Sequence, residues 1–393
     1  MRVMVAAVSS APEISGVQRH AFNLASCLLS LPDISAVDLV LAPWQRRLAE
    51  RHGPPPEPRL RLHFPNISAT ALGRNAWFFY RLPSLARELD CDVVHIAYPV
   101  PLRRNAFHCP VVVTLHDLYP YESPRNFGSA KAWINRHVLQ QCLRNVDMIA
   151  CVSDATVNAL RMFTAPDIWR KATRIYNSVQ LSCRDAQPVD ILDEDTPFLL
   201  CIAQHRHNKN IPLALNSFHY LLERGAVDPN MRLLIVGIPG PETGRIRRQI
   251  SRLRLTDQVA LVNGLTDEEL LWCYRHCVAL LVPSLSEGFG LPAAEALIAG
   301  CRVVCSSIPA LREVGGNHCP FVRVTGDSVR AFADAVRAVL ENPVPAPLSL
   351  AQFSPGEIAR EYLATYRDVI ACPSRTRHLA PPSGMDSAEG SVI

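Results

Sequence analysis

The chain has 393 residues, more than one ordinary hydrophobic core accommodates, so two domains are the default reading. Its 48% hydrophobic and 19% charged residues describe a globular chain and exclude a disordered one. A net charge of +4 is too mild for a dedicated nucleic-acid binder, and no apolar run approaches the length of a membrane span.

In chain order, Met1 to Val8 is too short for a secretory signal and reads as a first strand. It leads into Ser9-Ser-Ala-Pro-Glu-Ile-Ser-Gly16 and then an amphipathic helix from Val17, with Ser15 as a natural N-cap and Gly16 open to close approach by a phosphate. Further strands are expected at Val37 to Leu41, Val93 to Ile96, Val111 to Thr114 and Met148 to Val152, each β-branched and separated by longer helical stretches. That alternation is the mark of βαβ units on a parallel sheet. His116 and Asp117 fall just past one strand, and His95 and Tyr98 at the end of another, where an open α/β sheet places functional groups. The polar, acidic stretch from Asp185 to Pro197 reads as a linker.

The alternation restarts with strands at Phe198 to Ala203, Arg232 to Val236, Val259 to Val262, Val278 to Val282 and Arg302 to Cys305. The turn Gln204-His-Arg-His-Asn-Lys-Asn210 is basic, so Arg206 and Lys209 are candidates to face an anion. Gly237 and Gly264 end successive strands. Gly244 to Arg254 is a basic helix whose charges suit a solvated face, with attraction to an anionic membrane as the minority reading. The 13 cysteines, an odd number scattered through apolar segments, read as small core residues of a reducing compartment. Cys273, His276 and Cys277 share a helix face, but they lack the paired Cys-x2-Cys knuckles of a zinc site.

The richest segment is Ser284-Leu-Ser-Glu-Gly-Phe-Gly-Leu-Pro-Ala-Ala-Glu-Ala-Leu-Ile-Ala-Gly300. Pro283 stops a strand, Pro292 sits where a first helical residue is preferred, and Gly300 is placed to end the helix. Glu287 then lies in the turn and Glu295 about one turn into the helix, both facing a ligand on the helix N-terminus. Free N–H groups around Gly288, Gly290 and Leu291 attract an anion such as a diphosphate, whereas the carboxylates, which only accept hydrogen bonds, suit hydroxyls on either side of it. From Phe353 a final helix is expected, and the last twenty residues, from Ser374, are rich in Ser, Pro and Gly and expected to be disordered.

The spacing of Glu287 and Glu295 and the Glu-Gly-Phe-Gly-Leu-Pro lead-in resemble the Glu-x7-Glu motif of retaining GT-B glycosyltransferases of family 4, the glycosyl transferases group 1, and the likeness is mannosyltransferase-like. The resemblance implies an α/β, GT-B fold: two doubly wound Rossmann-like domains facing a central cleft. It places an acceptor-side domain at residues 1–185, a linker at 186–197, a nucleotide-sugar-binding domain at 198–352, a helix crossing back at 353–373 and a tail at 374–393. It also implies transfer of a hexose, with mannose the leading candidate, from a nucleotide diphosphate sugar to a hydroxyl of a glycan or lipid-linked saccharide, with retention. His116, Lys209 and Glu287 are the implied catalytic residues; Gly16, Arg206, Gly288, Phe289, Gly290, Leu291 and Glu295 the implied donor-binding ones. No cofactor and no metal are implied; the nucleotide sugar is a co-substrate, and no Asp-x-Asp metal motif is expected in the chain. The setting expected is cytoplasmic, at the inner face of a membrane if the chain attaches peripherally. Three departures stand out: Ser15 replaces the first glycine of the family's Gly-Gly loop, Ala203-Gln204 replaces its Gly-Arg pair, and Tyr176 and Ser178 are substituted in its Pro-Asn-Gly-Val segment. These leave two alternatives, a non-catalytic transferase-like partner subunit and a nucleotide-sugar epimerase.

Overall fold

In the computed structural model, which describes residues 1–11, 13–122, 129–181, 185–192 and 196–371, the chain forms two parallel sheets flanked by helices. The first sheet contains β1 (Arg2–Ala6), β2 (Ala36–Val40), β3 (Leu60–His63), β4 (Val93–Ile96), β5 (Val111–Leu115), β6 (Met148–Cys151) and β7 (Ala172–Arg174), in the order β3-β2-β1-β4-β5-β6-β7. The second contains β8 (Phe198–Ile202), β9 (Arg232–Val236), β10 (Val259–Val262), β11 (Ala279–Val282), β12 (Val303–Ser306) and β13 (Phe321–Val322), in the order β10-β9-β8-β11-β12-β13.

Each sheet is covered on both faces, which is why its central strands are predominantly apolar throughout and do not alternate apolar with polar residues. On one face of the first sheet Met4, Val94, Val113 and Ile149 pack with Phe78 and Leu143; on the other Val3, Val5, Val112 and Ala150 pack with Leu24 and Leu28. In both sheets the strand order reverses direction beside the first strand, between β1 and β4 and between β8 and β11. Crevices open at such points beyond the carboxyl ends of the strands. The loops after β1, β5, β8 and β11 carry Gly16, His116, Lys209 and Glu287.

In the final helix, Pro355–Ala371, the side chains of Ile358, Tyr362, Leu363, Tyr366 and Val369 enter the cluster built on β1 and the Gly16–Leu29 helix. Phe353, just before it, stays in the second-domain core. The two passages between domains run side by side, with Val179 N donating to Phe353 O at 2.9 Å. Tyr176 and Phe289 both pack on Phe353, at ring separations of 4.9 and 5.1 Å. Three short strands, β3, β7 and β13, were not expected, and the basic helix runs Thr243–Arg252. The expected tail at 374–393 and part of the linker, 193–195, lie outside the described residues.

Tyr362 is fully buried between the final helix and the first sheet. Tyr362→Ala leaves a cavity there, and the expected cost is about 3 to 5 kcal/mol. Urea unfolding followed by domain-specific fluorescence should show an earlier first-domain transition and an unmoved second-domain one.

Candidate active site

The carboxyl ends of the two sheets face each other across a cavity of about 600 Å³. His116, Lys209 and Glu287 line it, as do Gly16, Arg206, Glu295 and the run from Gly288 to Leu291, so these positions from both halves of the chain reach one cleft.

The second-domain wall follows from the glycine and proline frame. Gly290 and Gly300 both take the left-handed conformation, at φ 100° and 80°, and bracket the helix Leu291–Ala299; Pro292 is its second residue and not its first. The helix start opens on the cleft. Lys209 Nζ reaches both oxygens of Glu287, at 2.6 and 2.7 Å, and Ser284 Oγ donates to Glu287 Oε1 at 2.7 Å. These side chains are only 18% and 7% exposed, so Lys209 and Glu287 form a sheltered ion pair and not two independent charges. Glu295 accepts from Tyr274 OH at 2.6 Å through Oε2. Burial raises the pKa of Glu295, against the pull of Arg19 and the Tyr274 hydrogen bond.

From the first domain, His116 Nε2 lies 2.8 Å from Ala97 O. A carbonyl only accepts, so Nε2 carries the proton and Nδ1 keeps its lone pair. Burial pushes the imidazole down to about 4, so it is neutral near pH 7. Burial pushes the neighbouring Asp117 up to about 7, although Tyr119 N donates to its Oδ1 at 3.0 Å. At the Gly16–Leu29 helix, Ser15 is the N-cap, and Ser15 N donates to Gln18 Oε1 at 3.1 Å. One turn on, Arg19 Nη2 meets Asp267 Oδ1 of the second domain at 2.7 Å, with His52 Nδ1 at 3.6 Å from the same oxygen. Burial would raise the Asp267 pKa, but the hydrogen bonds and charges of His52 and Arg19 outweigh it and hold the carboxyl well below the usual range.

The domains touch most closely at Gly288. A β-carbon there would lie 1.5 Å from the His116 carbonyl oxygen. The Gly288 carbonyl accepts from Thr156 Oγ1 at 3.2 Å and from Ser153 Oγ, and Glu313 accepts from the backbone N–H groups of Asp154 and Ala155 at 2.7 and 3.1 Å.

Some expectations fail. His95 is fully buried and Tyr98 bonds back to the Val8 carbonyl; neither lines the cleft, because both side chains turn into the first-domain interior. Two Asp-x-Asp triplets exist: Asp90-Cys-Asp92 sits at the amino end of β4, away from the cleft, and Asp193-Glu-Asp195 lies outside the described residues. Cys277 and Cys301 approach to 3.2 Å as buried thiols, and among the described residues no group of three or more His, Cys, Asp or Glu is arranged to hold a metal ion. Arg19, Asp267, Tyr274 and Asn177 were missed as site residues. Arg19 had a local signal, three positions after Gly16 on the same helix face, and Asn177 keeps the asparagine of the Pro-Asn-Gly-Val-like segment.

Two family profiles match the chain in succession, Glycosyltransferase Family 4 over residues 14–182 and Glycosyl transferases group 1 over residues 184–376. The O-antigen chain mannosyltransferase RfbU of Salmonella typhimurium is 25% identical over 263 residues, 65% of this chain and 66% of that protein, so the match spans just under two thirds of the relative. Sucrose-phosphate synthase from Thermosynechococcus elongatus superposes with a TM-score of 0.72 at 19% identity, covering 94% of this chain and 99% of that one. Anabaena Alr3699/HepE, solved with UDP-glucose, gives 0.65 at 16% identity over 94% of this chain and 100% of its own. At such identities the structural likeness speaks for the fold.

Asp117 gives a signed test of the site's electrostatics. Its folded pKa of about 7 lies above the ordinary carboxyl value, so between about pH 4 and 7 the unfolded chain has released a proton that the folded chain still holds. This group therefore removes stability as pH rises through that window. Asp117→Asn should match the wild type at pH 4 and melt at a higher temperature at pH 8, as scanning calorimetry at both pH values would show.

Proposed function

The chain belongs to the glycosyl transferases group 1 and has their GT-B fold, and on that footing we propose that it moves a hexose from a nucleotide diphosphate sugar to a hydroxyl of a glycan or lipid-linked saccharide, with retention at the anomeric carbon. The observation that carries this reading is the juxtaposition of the Lys209–Glu287 pair, Glu295 and two helix N-termini around one cavity. A diphosphate fits between the basic turn and the start of the Leu291–Ala299 helix, where backbone N–H groups and the helix dipole favour an anion. Glu295, with Oε2 taken by Tyr274, offers its other oxygen to ribose hydroxyls. Glu287, held by Lys209 and Ser284, accepts from hydroxyls of the hexose.

As the sugar–phosphate bond breaks, negative charge grows on the departing diphosphate. Lys209, Arg206 and the N–H groups near Gly16 and Gly290 stabilise it. Among the described residues the Arg206 side chain has no ion-pair partner, which suits it to take up the charge that Gln204 cannot carry. Neutral His116 adds a hydrogen-bonding surface beside the reacting carbon without placing a second positive charge near an oxocarbenium-like centre. The leaving phosphate helps take the acceptor proton on the same face, so no side-chain nucleophile is needed. The mannosyltransferase relatives favour mannose as the hexose. The joint presence of Lys209, Glu287 and Glu295 weighs against a non-catalytic subunit.

Two outcomes check this reading. Activity should persist in EDTA, because cationic side chains and helix N-termini meet the diphosphate; a strict need for magnesium or manganese would contradict it. Lys209→Ala should lower turnover roughly a hundredfold or more while donor affinity falls less, since its charge matters most as the leaving group separates. Lys209→Gln should fail similarly, and steady-state kinetics beside Arg206→Ala on folded protein would show which cation dominates.

A further inference from the structure

Five buried side chains join the final helix to the cleft. Tyr366 OH lies 2.7 Å from His95 Nδ1, and His95 Nε2 lies 2.7 Å from Thr114 Oγ1. Thr114 Oγ1 is 3.0 Å from His20 Nε2, and His20 Nδ1 is 2.8 Å from Asn177 Oδ1. None of the five is more than 3% exposed.

The donors and acceptors select one direction. A neutral imidazole has one N–H and one lone pair, and a hydroxyl has one hydrogen to give. If Tyr366 O–H donates to His95 Nδ1, then His95 Nε2–H donates to Thr114, the Thr114 hydroxyl to His20 Nε2, and His20 Nδ1–H to the Asn177 carbonyl. Every donor in the chain is then used. The reverse direction strands the Tyr366 hydroxyl hydrogen in a fully buried position, with no other acceptor for it among the described residues, which is a costly arrangement. Burial keeps the rings neutral, pushing His95 down to about 3 and His20 well below its ordinary value.

The chain of bonds ends at the cleft. Asn177 is one of its lining residues, and with Oδ1 engaged its amide N–H2 is left over, without a partner among the described residues. The His20 ring also meets His116 edge-on, with centroids 4.8 Å apart and planes at 84°. We propose that Asn177 is a further ligand-contacting residue, whose amide donates to a hydroxyl or phosphoryl oxygen of the bound donor, and that Tyr366, His95, Thr114 and His20 are positioning residues that fix this amide and the His116 ring. The inference rests on the transferase reading for the identity of the ligand, though not for the chain of hydrogen bonds.

Asn177→Asp separates positioning from packing. It keeps an acceptor for His20 and nearly the same volume, yet it cannot donate into the cleft. Turnover should fall roughly tenfold or more, and by a larger factor than the affinity for free nucleoside diphosphate, because the second domain holds most of the nucleotide. Tyr366→Phe keeps the ring and removes the first donor; turnover should fall about three- to tenfold at a temperature where a melting curve shows the variant still folded. Nitrogen NMR of selectively labelled histidines reads the wire directly, with protons expected on His20 Nδ1 and His95 Nε2. Wild-type turnover in Asn177→Asp, or a proton on His20 Nε2, overturns the proposal. Wild-type protein that turns over no nucleotide sugar but shows the expected tautomers overturns the transferase reading and the ligand contact with it, leaving the wire as structure.

Discussion

The contact of the His116 carbonyl with Gly288 is the constraint on which the site depends. Backbone meets backbone there, with no room for a side chain, and hydroxyls of Ser153 and Thr156 grip the Gly288 carbonyl from the first domain. His116 and Glu287 are the immediate neighbours of this contact. Their separation is therefore set by main-chain approach and not by flexible side chains, which is what chemistry sensitive to small displacements requires. Glu313, accepting two N–H groups at the start of the Asp154–Phe163 helix, holds the same junction from the other side.

Around that contact several charged groups are already held by partners before any ligand arrives. Lys209 neutralises Glu287, Arg19 meets Asp267 across the cleft, and Tyr274 holds Glu295. Isolated charges in a sheltered cleft would be expensive, whereas paired ones are tolerated. The pairing has a chemical side as well. On the proposed function, a diphosphate entering the cleft would compete with Glu287 for Lys209, so the cation would follow charge from the carboxylate towards the ligand without being newly desolvated.

The legible parts of the fold were those with strong local signals. Strands such as Val93–Ile96 and Arg232–Val236 matched to the residue because burial on both faces demands mainly apolar, β-branched or aliphatic runs. The missed strands lack that signal: Leu60–His63 is a half-exposed edge, Ala172–Arg174 has three residues without an aromatic or large aliphatic side chain, and Phe321–Val322 has only two. At the site, the glycine and proline frame gave away the second-domain wall. Asp267 was invisible because its partner, Arg19, is 248 positions away in the chain; the segment holding Asn177 was noticed, but its pairing with His20, 157 positions away, was not. His95 was misread as a cleft residue, since a strand end shows position along the sheet but not which way the side chain turns.

The final helix has a consequence for how the molecule is made. Tyr362 and Tyr366 complete the core beneath β1, yet they follow the whole second domain in the chain. A ribosome adding roughly 5 to 20 residues per second takes on the order of 10 to 40 s to travel from the end of the first sheet to that helix. During that interval the emerging amino-terminal half carries an open apolar seam, and the nascent chain is the stage at which it most needs shelter from chaperones.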